Sequence, residues 1–110
     1  MRELVMLLSV KHDDSHPGGS VQLSISGDMT IYAIADLKEA ITPEITGQAI
    51  VDLNLSEVEE IDSAGIQLIM ALRNHLIKAN KTIQLTGTNG TVSKLLEVYG
   101  LSNEHFGKPS

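Results

Sequence analysis

Between Ala49 and Thr86 the hydrophobic period of this 110-residue chain changes twice. Ala49 to Leu55 (AIVDLNL) is dense in apolar residues, as a central strand is. Gly65 to Ala79 places Gly65, Leu68, Ile69, Leu72, Leu76 and Ala79 on one side at 100° steps, which predicts a long helix. Lys81 to Thr86 (KTIQLT) then alternates with period two, as a strand does. Two strands joined through a helix pair in parallel by a right-handed crossover, so this segment alone commits the chain to an α/β fold.

The flanks extend that unit. Residues 3–10 and Val21 to Ser26 predict two strands in an antiparallel hairpin, separated by the turn cluster His12 to Gly19 (HDDSHPGG). Gly27-Asp28-Met29-Thr30 reads as a strand exit. Ile34, Leu37 and Ile41 then predict a short amphipathic helix ended by Pro43 and Gly47. Ser56 to Asp62 reads as an acidic loop. Gly87 to Gly90 is a turn, after which Thr91 is placed to cap a last helix bearing Val92, Leu95, Leu96 and Val98. The order is β-β-α-β-α-β-α: a mixed, mostly parallel sheet of about five strands with packed helices, in a single domain over residues 1–110. The tail Lys108-Pro109-Ser110 is expected to fray.

Composition removes several functions. A net charge of −6, with eight scattered Lys and Arg, argues against nucleic acid. Tyr32, Tyr99 and Phe106, the only aromatics, make no base-stacking platform. Without cysteine there is no disulfide, thiolate nucleophile or Cys-ligated metal. Leu4 to Leu8 is too short for a signal peptide, and no run approaches transmembrane length, so a cytoplasmic protein without direct membrane insertion is expected.

Asp62-Ser63-Ala64-Gly65 stands where strand gives way to long helix. Asp62 or Ser63 can cap the helix, the commonplace reading of such a pair. Alternatively Ser63 presents a hydroxyl for phosphorylation. Gly65 would then leave the helix N–H groups open to the phosphate, beside Glu57, Glu59, Glu60 and Asp62. Further along, Ile66, Met70, Arg73, Asn74 and Ile77 lie roughly opposite the core face. Either that side is also covered, or it is an apolar docking stripe edged by Arg73.

Four constellations point elsewhere and carry less. His12, Asp13, Asp14 and His16 offer metal-ligand chemistry but lie in a Pro-Gly turn that is polar for its own reasons. Ser63 as a catalytic nucleophile needs a base, and His75 is about 15 Å away along the helix axis. Gly87 to Thr91 (GTNGT) lacks the Lys and spacing of a phosphate loop. Asp28, Asp52 and Asp62 form no cluster that spacing fixes, and Asp52 belongs on the pleat opposite Val51 and Leu53.

Gly27-Asp28-Met29-Thr30, the strand ending Val51-Asp52-Leu53, Ile61 to Leu68 (IDSAGIQL), Lys81 to Leu85 and Val98-Tyr99-Gly100-Leu101 together resemble the STAS family, over nearly the whole chain. The resemblance implies an anti-sigma factor antagonist. The residue phosphorylated would be Ser63, with Asp62, Ala64, Gly65 and Asp28 around it and Ile66, Met70, Arg73, Asn74 and Ile77 on the binding face. It implies as partners an anti-sigma factor that is also the serine kinase, and a serine phosphatase. It implies no enzyme activity, no metal and no cofactor, and a monomer or weak dimer is expected. Gly27 to Tyr32 and His105-Phe106-Gly107 look closer to STAS adaptors of chemotaxis or other two-component systems. Subunits of lipid-transport ABC complexes share the resemblance, and a small serine hydrolase is the remote alternative.

Overall fold

The alternation of Val21, Leu23 and Ile25 on one strand with Val51, Leu53 and Leu55 on another buries one sheet face almost completely; each of the six is at most 1% exposed. The structure is a computed structural model and describes residues 8–101. Its elements are β1 (Leu8–Asp13), β2 (Ser20–Met29), α1 (Ile31–Ile45), β3 (Ile50–Ile61), α2 (Ser63–Lys78), β4 (Thr82–Gly87) and α3 (Gly90–Val98). Among the described residues the sheet has four strands in the order β1-β2-β3-β4, the number in the predicted element order and one fewer than the sheet of about five expected. β1 pairs antiparallel with β2, as the hairpin requires, while β2–β3 and β3–β4 are parallel. Residues 3–7 of the first predicted strand, His105 to Gly107 and the tail lie outside the described residues.

Helices cover one face of this sheet, and the buried apolar residues form one continuous cluster. The molecule measures 36 × 34 × 20 Å, and the short dimension is that of one helix layer on one sheet layer. The other face is polar and open. Lys11, Gln22, Asp52 and Gln84 lie in register across all four strands. Asp52 stands on the pleat opposite Val51 and Leu53, as period two demands, and accepts a hydrogen bond from Gln84 Nε2 at 3.0 Å.

Burial pushes the Asp52 carboxyl up, and the Gln84 bond and nearby His16 oppose this only in part. The folded state thus holds this proton more tightly than the unfolded chain. Its contribution favours folding below the ordinary carboxylate range and is lost as pH rises through the raised folded value. Asp52→Asn keeps an oxygen for Gln84 and is expected to increase stability near pH 7 but not near pH 3. Urea denaturation at both pH values measures this, and equal gains would refute burial as the cause.

Three boundaries differ from sequence expectation, the first being that of β1, which runs on to Asp13, inside the expected turn cluster. Ser56 to Ile61 is not an acidic loop but the second half of β3, pairing with Ser26 to Met29 of a longer β2. Register shifts between Ser24 and Ser26 and between Gly27 and Asp28 break the period, hiding the strand from a reading of alternation. Val58, 3% exposed, anchors it to the core. Pro43 lies inside α1 rather than ending it, since Ile45 is buried two residues later. Among the described residues no helix is long and apolar enough to cross a membrane.

β4 pairs only with Ile50 to Asn54, so the far half of β3 lacks a strand on that side. Asn89 fills the place. Its Nδ2 donates to the carbonyls of Ser56 (3.1 Å) and Val58 (2.8 Å), while its Oδ1 accepts from Val92 N (2.9 Å) as the cap of α3. The cap is therefore Asn89 and not Thr91, because only the residue preceding the helix can turn its side chain onto the first free N–H groups.

Candidate functional site

β2 and β3 are parallel neighbours, so the helices that follow them begin at the same end of the sheet. One side chain joins those two beginnings. Asp62, in extended backbone, caps α2: its Oδ1 accepts from Ala64 N at 2.9 Å and Gly65 N at 3.2 Å. Its Oδ2 accepts from Ile31 N at 3.1 Å, the first residue of α1. Thr30, the N-cap of α1, supplies no side-chain bond of its own, so Asp62 acts in its stead. Asp62 N also donates to Met29 O at 3.3 Å, closing the junction from both sides.

Ser63 follows as the first helical residue, and its side chain is exposed. Capping falls to Asp62, and Ser63 stays at the surface. The expectation that a phosphate would find the first N–H groups open is corrected here, because Asp62 already occupies those of Ala64 and Gly65. Gly65 has a different purpose as well. It is buried, and a Cβ there would run into the carbonyl oxygen of Met29, come within 2.7 Å of Ile61 Cγ1 and lie 3.1 Å from Met29 Cβ. The missing side chain lets α2 seat on the strand ends rather than opening the surface.

Around this junction the surface is acidic. Asp28, Thr30, Glu59, Glu60 and Asp62 line one shallow depression, with Tyr32 and Thr91 at its border. Asp28 is thus brought to the same site as Asp62, while Asp52 lies on the open sheet face. Beside the depression stand two apolar side chains that the sequence reading left out: Ile31 is 67% exposed and Tyr32 94%. Tyr32 was legible, since it sits about 200° around the helix from Ile34, off the core stripe. Ile31 falls in phase with that stripe and is exposed only because α1 begins there.

The docking stripe expected along α2 is interrupted. Ile66 is fully buried and Met70 half-buried against the core. Near its start the helix is covered from Leu68 round to Ile66, an arc of about 160°, and only later does the covered face narrow to Leu72 and Leu76. Arg73 is half-buried and donates from Nη1 to Asn74 Oδ1 at 3.1 Å. Asn74 is exposed, and Ile77, one residue from the end of the helix, remains 47% exposed. Ala79, assigned to the core face, is exposed at the C-cap.

His12 and Asp13, placed in the turn by the sequence, end β1 and have partners of their own. His12 Nε2 meets Glu44 Oε1 of α1 at 2.8 Å. Asp13 accepts from Ser15 N (2.9 Å) and Oγ (2.6 Å), bonds that hold its carboxyl below the usual range.

A family model described as "Mlab, STAS domain" matches residues 12–106. An anti-sigma-B factor antagonist of Staphylococcus epidermidis is 24% identical over 96 residues, covering 86% of this chain and 84% of its own length. The protein of that name from Staphylococcus aureus (strain NCTC 8325 / PS 47) is 25% identical over 83 residues, covering 74% and 77%. Among solved structures, the anti-sigma factor antagonist SpoIIAA in its unphosphorylated form aligns with a TM-score of 0.67 at 18% identity, over 84% of this chain and 82% of that one. The phosphorylated form of the Bacillus cell fate determinant SpoIIAA aligns at 0.61 and 19% identity, over 84% and 85%. Among the described residues, the four-stranded mixed sheet under three helices is the SpoIIAA-like arrangement.

Proposed function

Because this chain belongs to the STAS domain family, we propose that it is a phosphorylation-controlled protein-binding switch, an anti-sigma factor antagonist rather than an enzyme. Its unphosphorylated form binds an anti-sigma factor that is also a serine kinase; phosphorylation of Ser63 releases it, and a serine phosphatase restores it. The observation that carries this reading is the exposed Ser63 at the first position of α2, next in the chain to Asp62, which lines the acidic depression with Asp28, Glu59 and Glu60. The names of the Staphylococcus relatives support it.

The geometry also suggests how binding and release work. Ile31 and Tyr32 offer an apolar contact next to the hydroxyl, and the acidic rim favours a basic partner surface. On α2 the accessible part of the face is Asn74 and Ile77, with Met70 and Arg73 partly covered. A phosphate on Ser63 adds about −1.5 to −2 of charge. With the N–H groups of Ala64 and Gly65 held by Asp62, the group projects outward into the interface. There it adds bulk and negative charge between fitted surfaces, next to the carboxylate of Asp62.

Incubation with ATP and the candidate kinase, followed by mass mapping, is expected to place one phosphate on Ser63 and none in Ser63→Ala. The modified protein is expected to bind the kinase at least tenfold more weakly, about 1.4 kcal/mol. Label on another residue, or unchanged affinity after complete modification, would refute the switch.

A further inference from the structure

Beyond the shared cap, α1 and α2 leave a half-open groove between them, of about 320 Å³. Ile41, Ile45, Leu68 and Leu72 form its apolar floor, and each is at most 8% exposed. Ala71, a small residue on the outer surface of α2, leaves its mouth open. Such a volume suits a small ligand, and small-molecule sites combine this kind of lining with a few convergent polar groups. Here the charged or titratable groups are Lys38 and His75, one from each helix. Thr42 adds a hydroxyl whose proton goes to Lys38 O at 2.7 Å.

The sign of these groups is the informative part. The chain carries 14 Asp and Glu against 8 Lys and Arg, yet no carboxylate lines this groove. A lysine and a histidine flanking an apolar trough are complementary to one class of molecule, an aliphatic chain ending in an anionic head.

We propose that the groove between α1 and α2 binds an amphipathic carboxylate of the fatty-acid type. The chain lies on Ile41, Ile45, Leu68 and Leu72, and the carboxylate meets Lys38 and His75. The uncharged alternative, a plain alcohol, gains the same chain burial but loses the charge-assisted bonds to the head. Burying each further methylene strengthens binding by about fourfold at most. Because both helices begin on the carboxylate of Asp62, an occupant between them also bears on the junction that presents Ser63. The binding itself does not depend on the phosphoswitch.

Titration of the full chain with decanoate, below its micelle concentration and followed by amide ¹H–¹⁵N spectra, tests the site. Saturable shifts are expected at Ile41, Ile45, Leu68, Ala71 and Leu72. Octanoate should bind about tenfold more weakly, and decanol or decyltrimethylammonium at least tenfold more weakly than decanoate. Ala71→Trp, which fills the mouth from the exposed side, should abolish the shifts. Lys38→Glu, at an exposed position, should weaken decanoate at least tenfold and carries the test if the Trp variant misfolds. Shifts that do not saturate, that map to another face, that survive both substitutions, or that the cationic amphiphile reproduces at equal concentration would overturn the proposal.

Discussion

Replacing Gly65 by Ala is expected to lower the stability of the fold by about 3 kcal/mol, with a fall in melting temperature of roughly 12 °C. Local preference argues for the opposite sign, since Ala is favoured over Gly in a helix by about 1 kcal/mol. Packing decides it. The added methyl points at the main-chain carbonyl of Met29 and at Ile61 Cγ1, 2.7 Å away, both part of the strand ends on which α2 rests. That carbonyl also accepts the Asp62 N–H, so it cannot retreat without loosening the cap. Thermal or urea unfolding of Gly65→Ala reads the outcome. A variant as stable as the parent would mean that α2 sits farther from β2 and β3 than described.

Asp62→Ala is expected to cost about 3 kcal/mol, more than an ordinary helix cap at about 1 kcal/mol. The excess comes from the second helix. Removing the carboxylate strands the N–H groups of Ala64 and Gly65 and that of Ile31, and takes a negative charge from the positive ends of two helix dipoles. Asp62→Asn separates the contributions. Its single oxygen still serves one helix, but its amide turns a donor toward the other, so a loss of about 1 kcal/mol is expected. Denaturant melts of both variants, with hydrogen exchange at Ile31 and Ala64, check the assignment. A cost below about 1 kcal/mol for Asp62→Ala would show that the bridge between the helices contributes little.

The element order could be read from the chain because hydrophobic period reports burial directly, and β2, β3, α2 and β4 each bury one face of their pattern. What could not be read depends on neighbours distant in sequence. Ser56 to Ile61 pairs with β2 across two register shifts, and no alternation survives them. Ile66 is covered because the buried arc of α2 is widest at its start, a property of what packs there rather than of helix geometry. The site was legible in part. Asp62-Ser63-Ala64-Gly65 marked the junction, but a local reading gave Gly65 to openness when it belongs to a tight approach to Met29. That Asp62 reaches Ile31, 31 positions earlier, needs the parallel pairing of β2 with β3 before it can be stated at all.

Asn89 gives the sheet a protection that no strand supplies. The far half of β3 would otherwise present a row of unmatched carbonyls to solvent, the template on which a second chain adds itself and aggregation begins. By donating to Ser56 and Val58, one side-chain amide occupies that template, and its remaining oxygen fastens α3 across the same edge. The exposed edge of β3 is thereby closed to strand addition by a single side chain, without a fifth strand to cover it.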